Sequence, residues 1–194
     1  MEGSSISEAL NNGRMRPIFE RIRRDGRVDP GTCKRLQHEH ECTRETEAAI
    51  YDIFCNSTGF PPEDVQLRSC VSLVSLPECP KQQLHRDYTE YLEDEMIQDG
   101  VEALYSCLMA IDTRRVCIIP NSHTITDFED DLHEHCVQVV LQPGETLIFD
   151  GRLIHSGDEN SEGIPLRAIH WYILAGKGQK WKEKKYNMDQ TQVV

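Results

Sequence analysis

The chain has 194 residues, of which 38% are hydrophobic, and it carries a formal net charge of −12 at pH 7. This length suits one domain with a single core, and no stretch approaches the roughly 20 apolar residues of a membrane-spanning helix. The acidic excess lies in residues 36–176, which disfavours duplex nucleic acid as the main partner, because that binding depends on neutralising phosphates.

Residues 1–42 predict an N-terminal arm that is helical or irregular. A helix is expected near residues 6–24, although Gly13 and Pro17 interrupt it. The start of the chain does not resemble a signal peptide, which favours an intracellular location, cytoplasmic or nuclear. In such a reducing compartment we expect the eight cysteines to remain thiols. The basic segments 14–35 and 177–185 keep nucleic acid open as a disfavoured partner.

Residues 43–176 predict the folded domain, mainly β with flanking helices. Thr43 is a candidate N-cap for a helix whose Ile50 and Phe54 share one face, so this helix should pack on the outside of a sheet. From Val65 onward the apolar period is that of strands. Including a short strand around His85, eight strands are expected, and their spacing favours a sandwich or jelly roll. The other seven runs are 65–76, 104–111, 116–119, 137–141, 146–149, 153–155 and 166–174.

Three further stretches are polar. Residues 88–100 are acidic and weakly patterned, and they predict a solvated loop or, alternatively, a mobile flap over a site next to His85. Residues 127–135 predict a surface loop or a short helix. Residues 177–194 predict a basic C-terminal tail.

The chemistry-bearing pattern begins at His85 and Asp87, which the strand period of two places on one face. A ferrous centre with open positions uses two histidines and one carboxylate. His155, at the end of an apolar stretch, is the candidate for the third ligand. The alternatives are a chance His-x-Asp pair and a hydrogen-bonded core histidine.

Arg167 interrupts an otherwise apolar strand. Alternation places it on one face with Ile169, Trp171 and Ile173, and this face is expected to be interior. A buried guanidinium requires an anion, which is either a distant Asp or Glu or the carboxylate of a ligand.

Other metal-binding residue types have weaker spacing. A structural zinc site is disfavoured, because its candidates are too closely spaced for a finger; they are Cys33, His38, His40 and Cys42. His133 and His135 should face solvent. His123 and His170 should lie near the site as structural hydrogen-bonding residues.

The order of His85, Asp87, His155 and Arg167 resembles that of the Fe(II)/2-oxoglutarate dioxygenases, whose fold is a double-stranded β-helix (jelly roll, cupin-like). Residues 118–123, Ile-Ile-Pro-Asn-Ser-His, are similar to the Pro-Gly-Ser-His turn of the phytanoyl-CoA dioxygenase-like group. The resemblance covers roughly residues 65–175. In this turn Asn121 replaces glycine, which is tolerable because Asn accepts left-handed conformations.

The resemblance implies that His85, Asp87 and His155 are the catalytic residues that hold Fe(II). It further implies that Arg167 binds the distal carboxylate of the co-substrate 2-oxoglutarate. A second hydrogen-bond donor to that carboxylate is not identified, because Ile169 stands where some relatives have serine; the candidates are Gln83, Tyr105 and Ser156.

The implied activity is an O2-dependent dioxygenase that hydroxylates, or oxidatively demethylates, an unidentified small-molecule or protein substrate and releases succinate and CO2. One alternative is a non-catalytic metal-binding or sensing module on the same jelly-roll fold. Another is a cupin-type enzyme that uses the metal without an oxoacid, which leaves Arg167 unexplained. Substrate identity and oligomeric state do not follow from the sequence.

Overall fold

Two antiparallel sheets are layered face to face in the computed structural model, which describes residues 16–17, 34–39, 43–124, 132–178, 180–186 and 192–193. Residues of both sheets share one core cluster, in which Leu108, Ala110 and Ala168 of one sheet meet Val116 and Leu141 of the other. The predicted fold class, a β-rich jelly roll with flanking helices, is therefore confirmed.

The larger sheet has the strand order β1-β2-β3-β10-β5-β8, and the smaller sheet has the order β11-β4-β9-β6-β7. In chain order the strands are β1 (Arg16–Pro17), β2 (Arg35–Glu39), β3 (Val65–Ser75), β4 (His85–Arg86), β5 (Ala103–Ala110), β6 (Arg114–Ile118), β7 (Val137–Leu141), β8 (Thr146–Asp150), β9 (His155–Gly157), β10 (Leu166–Ala175) and β11 (Gln192–Val193). The helices are α1 (Arg44–Thr58), α2 (Glu90–Gln98) and α3 (Lys180–Glu183), and short 3-10 turns lie at Pro62–Asp64, Ser122–Thr124 and Leu132–His135.

The leading helix α1 begins and ends where its sequence signals it. Thr43 caps it by accepting a hydrogen bond from the backbone N–H of Thr46, and Gly59 ends it in the left-handed conformation with φ 80°. Ile50 and Phe54 are buried against Trp171 and other residues of the larger sheet. The helix thus covers the outer face of this sheet, as predicted.

Strand β10 is covered on both faces. Its residues Trp171, Ile173 and Ala175 belong to the cluster under α1. Ala168 belongs to the cluster between the two sheets, and Leu174 packs with Leu104 and Trp181. The even-numbered residues therefore line the interior of the jelly roll, and the odd-numbered residues face the helix.

A β-bulge divides strand β3. Opposite β10, Val71 pairs with His170 but Arg68 pairs with Tyr172, so β3 carries one extra residue at this point. Ser69, at the bulge, has φ 45°. Leu67 packs on the α1 side, whereas Leu73 packs between the sheets. The bulge therefore changes which face the odd-numbered residues of β3 occupy.

Residues 88–100, predicted to be a solvated loop or flap, instead contain the helix α2. Thr89 caps it by accepting a hydrogen bond from the N–H of Leu92, and Glu90 and Glu93 lie in the first turn, where the helix dipole favours negative charge. Leu92 and Met96, one helical turn apart, are buried against Val101, Leu104 and Trp181. This pair of apolar residues anchors the segment despite its acidic composition.

Parts of the predicted arm and tail belong to the sheets and the core. Strand β2 pairs with β3 over five positions, and Trp181 of α3 is fully buried. These two segments are therefore continuous with the domain at 43–176. Within the helix predicted near residues 6–24, Arg16–Pro17 instead form strand β1, and the other residues lie outside the described part of the chain. None of the described helices combines the length and the hydrophobicity needed to span a membrane.

Among the described cysteines, one pair differs from the expectation. Cys117 and Cys136 form a disulfide with Cα atoms 5.7 Å apart. Strand β7 runs antiparallel to β6, and this pairing brings the residue before β7 beside Cys117. Cys55 and Cys107 are free thiols, as expected.

Candidate metal centre

Strands β4 and β9 of the smaller sheet bring the predicted ligands together. His85 on β4 pairs directly with His155 on β9, and Asp87 follows β4 by one residue. All three side chains are buried, and one potential ligand atom from each lies within 4.8 Å of the others. Among the described residues this is the one group of His, Cys, Asp or Glu side chains that could hold a metal ion.

Backbone carbonyls orient both histidines. Nδ1 of His85 lies 2.8 Å from the carbonyl oxygen of Gln83, and Nδ1 of His155 lies 2.9 Å from that of Leu153. Because a carbonyl only accepts, each Nδ1 carries the proton, and each Nε2 presents a lone pair. Metal-binding histidines are commonly held in this way, with the other ring nitrogen bonded to the protein.

The two carboxylate oxygens of Asp87 have different neighbours. Oδ1 lies 3.6 Å from Nε2 of His155, whereas Oδ2 accepts a hydrogen bond from Oγ of Ser106 and lies 3.7 Å from Nε2 of His170. Burial raises the pKa of Asp87, but the neighbouring imidazoles of His155, His170 and His85 outweigh this effect and lower it. Asp87 is therefore an anion with one oxygen anchored and the other directed at the histidine pair.

His85 is held neutral. Burial and the nearby imidazole of His155 lower its pKa to about 3. A neutral imidazole is the form that binds a metal ion. Two imidazoles on paired strands, with one carboxylate beside them, fit a divalent iron that keeps positions open for small ligands.

The 3-10 turn at Ser122–Thr124, with Asn121 before it, holds the residue that precedes β9 in place. Asn121 has φ 64°, so it adopts the left-handed conformation expected of it. Oγ of Ser122 accepts a hydrogen bond from the N–H of Ile154 at 2.7 Å, and its carbonyl accepts one from Nη2 of Arg86 at 2.9 Å. The turn therefore ties together the residues that adjoin His85 and His155.

Arg167 does not join this cluster. Its side chain is 58% exposed, and Nε and Nη2 donate to the two carboxylate oxygens of Asp112 at 2.8 and 3.0 Å. It does share a face of β10 with Ile169 and Trp171, but α1 covers that face. The expected interior position is thus corrected, and the observed arrangement is the pairing with a distant carboxylate.

The other candidates divide into near and remote groups. His170 lies beside Asp87, as expected, whereas His133 and His135 are exposed. Tyr105 packs against Phe54 under α1, with ring centroids 5.1 Å apart. Alternation on β9 places Ser156 on the face opposite His155. Cys33, His40 and Cys42 lie outside the described residues.

Sequence reasoning missed Ser106. It lies on β5 among apolar residues, and no motif marks it. The available signal was its hydroxyl group at an interior position of a mostly apolar strand. Buried polar groups require a partner, so this hydroxyl indicated a polar neighbour inside the fold.

Solved structures share this fold. The chain matches a crystal structure of SnoK, a non-heme alpha-ketoglutarate-dependent carbocyclase from nogalamycin biosynthesis, with a TM-score of 0.63 and 15% identity, covering 87% of this chain and 71% of that one. It also matches HygX from Streptomyces hygroscopicus with nickel, 2-oxoglutarate and hygromycin B bound, with a TM-score of 0.55 and 11% identity, over 87% of this chain and 77% of that one.

Sequence comparison gives a relative and a family. The dioxygenase trt7 of Aspergillus terreus is 32% identical over 108 residues, which cover 50% of this chain and 36% of the relative. The chain therefore matches about a third of that protein's length. The family model for phytanoyl-CoA dioxygenase (PhyH) matches residues 20–167. The chain belongs to the phytanoyl-CoA dioxygenase (PhyH) family of Fe(II)- and 2-oxoglutarate-dependent dioxygenases.

Proposed function

We propose that this chain is an Fe(II)- and 2-oxoglutarate-dependent dioxygenase that hydroxylates, or oxidatively demethylates, a small-molecule substrate. The observation that carries the proposal is the convergence of His85, Asp87 and His155, all buried, within 4.8 Å. Membership of the PhyH family supports the same activity.

Each residue of the cluster has a role that follows from its contacts. His85 and His155 would hold the iron through Nε2, because their Nδ1 atoms are engaged by carbonyls. Asp87 would hold it through Oδ1, while Ser106 keeps Oδ2 in place. An iron ion held there together with 2-oxoglutarate and O2 would supply the oxidant for a C–H bond, with one oxygen atom of O2 entering the substrate, the other entering succinate, and CO2 released.

Aromatic side chains lie beside the cluster. The ring of Phe149 packs edge-on against that of His155, with ring centroids 4.8 Å apart, and the ring of Tyr88 packs against that of Tyr172, with centroids 5.5 Å apart. Tyr172 in turn contacts His170 at 4.7 Å. An aromatic wall beside a metal shields reactive groups from solvent and suits an apolar part of a substrate.

A small molecule is the substrate class that the observations favour. The acidic body of the chain is unsuited to polyanions, and HygX, on the same fold, has been crystallised with hygromycin B. A protein substrate is the second candidate. The predicted intracellular location stays a prediction.

The test is the uncoupled turnover of 2-oxoglutarate. The purified chain with ferrous iron, 2-oxoglutarate and O2 should form succinate, and His85→Ala should abolish both succinate formation and metal binding. His135→Ala, which removes an exposed histidine that is not part of the cluster, should change neither. Metal binding without succinate formation would instead support the non-catalytic module.

A further inference from the structure

Two buried arginines meet inside the jelly roll at Ser75. Arg35 of β2 and Arg114 of β6 are only 2% and 7% exposed. Nη1 of Arg35 and Nη2 of Arg114 lie 3.0 and 3.2 Å from the same hydroxyl oxygen, Oγ of Ser75. Two guanidinium groups are thereby held close together in the protein interior, where like charges repel strongly.

The charge of Arg114 is not neutralised by the protein. Within the described part of the chain, no carboxylate lies within 4.0 Å of Arg114, and its Nη1 atom has no hydrogen-bond partner. Burial and the charge of Arg35 lower the pKa of Arg114 to about 10, which still leaves it protonated at neutral pH. A buried charge without a partner is costly, and an anion that joined this arrangement would offset that cost.

Hydrogen bonds hold the guanidinium group of Arg35 in one position. Its Nη2 atom donates to the backbone carbonyl oxygens of Pro80, Gly157 and Asp158, and Nη1 donates to Ser75. These contacts fix the guanidinium in position.

The strand register shows where the two arginines lie relative to the cluster of His85, Asp87 and His155. On β9, Gly157 follows His155 by two residues and shares its face, about 7 Å further along the strand. A Cβ atom at Gly157 would lie only 2.6 Å from Nη1 of Arg35. On β6, Ile118 pairs with His155 and Val116 pairs with Gly157, and Arg114 is the next residue on that face.

The spacing fits one class of ligand. A five-carbon 2-oxoacid held at the cluster by its keto end would have its other end several ångströms away, a length comparable with the separation of about 7 Å between His155 and Gly157 along β9. Guanidinium groups pair with carboxylates bidentately, and Arg114 retains an unused Nη1 for such a contact.

We infer that Arg114, supported by Arg35 and Ser75, binds the distal carboxylate of 2-oxoglutarate. This inference rests on the proposed function. It gives to a residue of β6 the role that the sequence resemblance implies for Arg167, whose donors Nε and Nη2 are engaged by Asp112 on the other side of the sheet. Arg167 is the competing residue, and the experiment separates the two.

The experiment measures binding without turnover. The full chain is loaded with Ni²⁺, and isothermal titration gives the dissociation constants of 2-oxoglutarate and of 2-oxopentanoate, which has a methyl group in place of the distal carboxylate. Arg114→Gln should weaken 2-oxoglutarate binding about 10- to 100-fold, since it removes a charged hydrogen bond. It should leave 2-oxopentanoate binding unchanged.

The controls use neighbouring arginines. Arg115→Gln alters the adjacent, exposed residue of β6 and should preserve the preference for 2-oxoglutarate. Arg167→Gln should also preserve it. If Arg114→Gln fails to fold, judged by loss of Ni²⁺ binding, then Arg114→Lys decides, because a point charge cannot pair bidentately and should reduce the preference severalfold.

Three results would overturn the inference. The first is an unchanged preference in a folded Arg114 variant, and the second is a preference lost through Arg167→Gln alone. Both leave the proposed function intact. The third is a wild-type chain that binds Ni²⁺ but not 2-oxoglutarate, which would overturn the proposed function together with this assignment.

Discussion

His85 and His155 occupy paired positions on the antiparallel strands β4 and β9, and their ring centroids lie 4.4 Å apart. The grouping of His85, Asp87 and His155 is therefore a consequence of strand register. A slip of one residue in this pairing would turn one of the two imidazoles to the other face of the sheet. The carbonyl contacts at Gln83 and Leu153, each two residues before its histidine, repeat the same local geometry on both strands.

Ser106 is expected to position Asp87. Replacing it with alanine removes the hydrogen bond to Oδ2 and allows the carboxylate to rotate, so metal affinity should fall about 10-fold or more. Titration with Ni²⁺ measures this change. Thermal unfolding of the metal-free protein checks that the fold is retained.

Ser156→Ala is the matched control for this substitution. Ser156 is equally buried, but its Oγ has no hydrogen-bond partner and lies on the face away from the cluster. Its removal should leave metal affinity unchanged and should not lower stability, because an unsatisfied hydroxyl contributes a desolvation cost. A loss of metal affinity equal to that of Ser106→Ala would show that the two hydroxyls act only through general packing.

Gly151 is expected to tolerate no side chain. A Cβ atom there would overlap the ring of Tyr88, whose Cε2 and Cδ2 atoms are the nearest groups, and the carbonyl of Gly151 accepts a hydrogen bond from the N–H of Asp87 at 3.2 Å. Gly151→Ala should therefore cost about 1–3 kcal/mol of stability and weaken metal binding. Denaturant unfolding and Ni²⁺ titration measure the two effects.

Gly163→Ala provides the comparison, because nothing lies within 4 Å of a Cβ atom at this position and its φ is not positive. Its stability should stay within about 0.5 kcal/mol of the wild type. Equal losses in the two variants would contradict the steric explanation for Gly151.

Trp181 is expected to make the C-terminal helix α3 part of the stable fold. It is fully buried against Leu104, Leu174 and Met96. Trp181→Ala should cost about 3–5 kcal/mol, measured by denaturant unfolding, whereas Lys185→Ala, at an exposed site, should cost little. A small effect at Trp181 would mean that residues 177–186 dock only weakly.

Cys107 should be unreactive in the native protein. Burial raises the pKa of its thiol to about 12, so raising the pH from 7 to 9 produces very little thiolate. The half-buried Cys55 should be alkylated faster over this range, although burial also raises its pKa. Mass spectrometry after iodoacetamide treatment distinguishes them, and native labelling of Cys107 at the rate of Cys55 would contradict the burial.

The strands were predictable because their alternation is strong. The spacing of the two histidines and Asp87 predicted that they lie together, and they do; their role as metal ligands stays a prediction. The face of β10 on which Arg167 lies was not predictable from the sequence. Since α1 covers one side of β10 and the smaller sheet covers the other, both faces are apolar, and alternation alone does not distinguish them. The residue that pairs with Ser75 on β10 is Leu166, one position before Arg167.

The helix α2 and the buried arginines were missed for a related reason. In α2, two buried apolar residues are enough to hold a segment whose other residues are mostly charged. Arg114 stands next to Arg115 at the start of a strand, where charged residues usually face solvent. Its burial depends on Ser75 and Arg35, which are contributed by distant parts of the chain, and short-range patterns carry no record of such contacts.

The bulge at Ser69 places the two halves of β3 in different environments. The half before it packs against α1, and the half after it carries Ser75 to the point where Arg35 and Arg114 meet. Deleting a single residue at the bulge would exchange these faces and would direct Ser75 towards the helix. The length of this one segment, rather than the identity of any side chain in it, thus sets whether one strand can both pack against α1 and reach the two buried arginines.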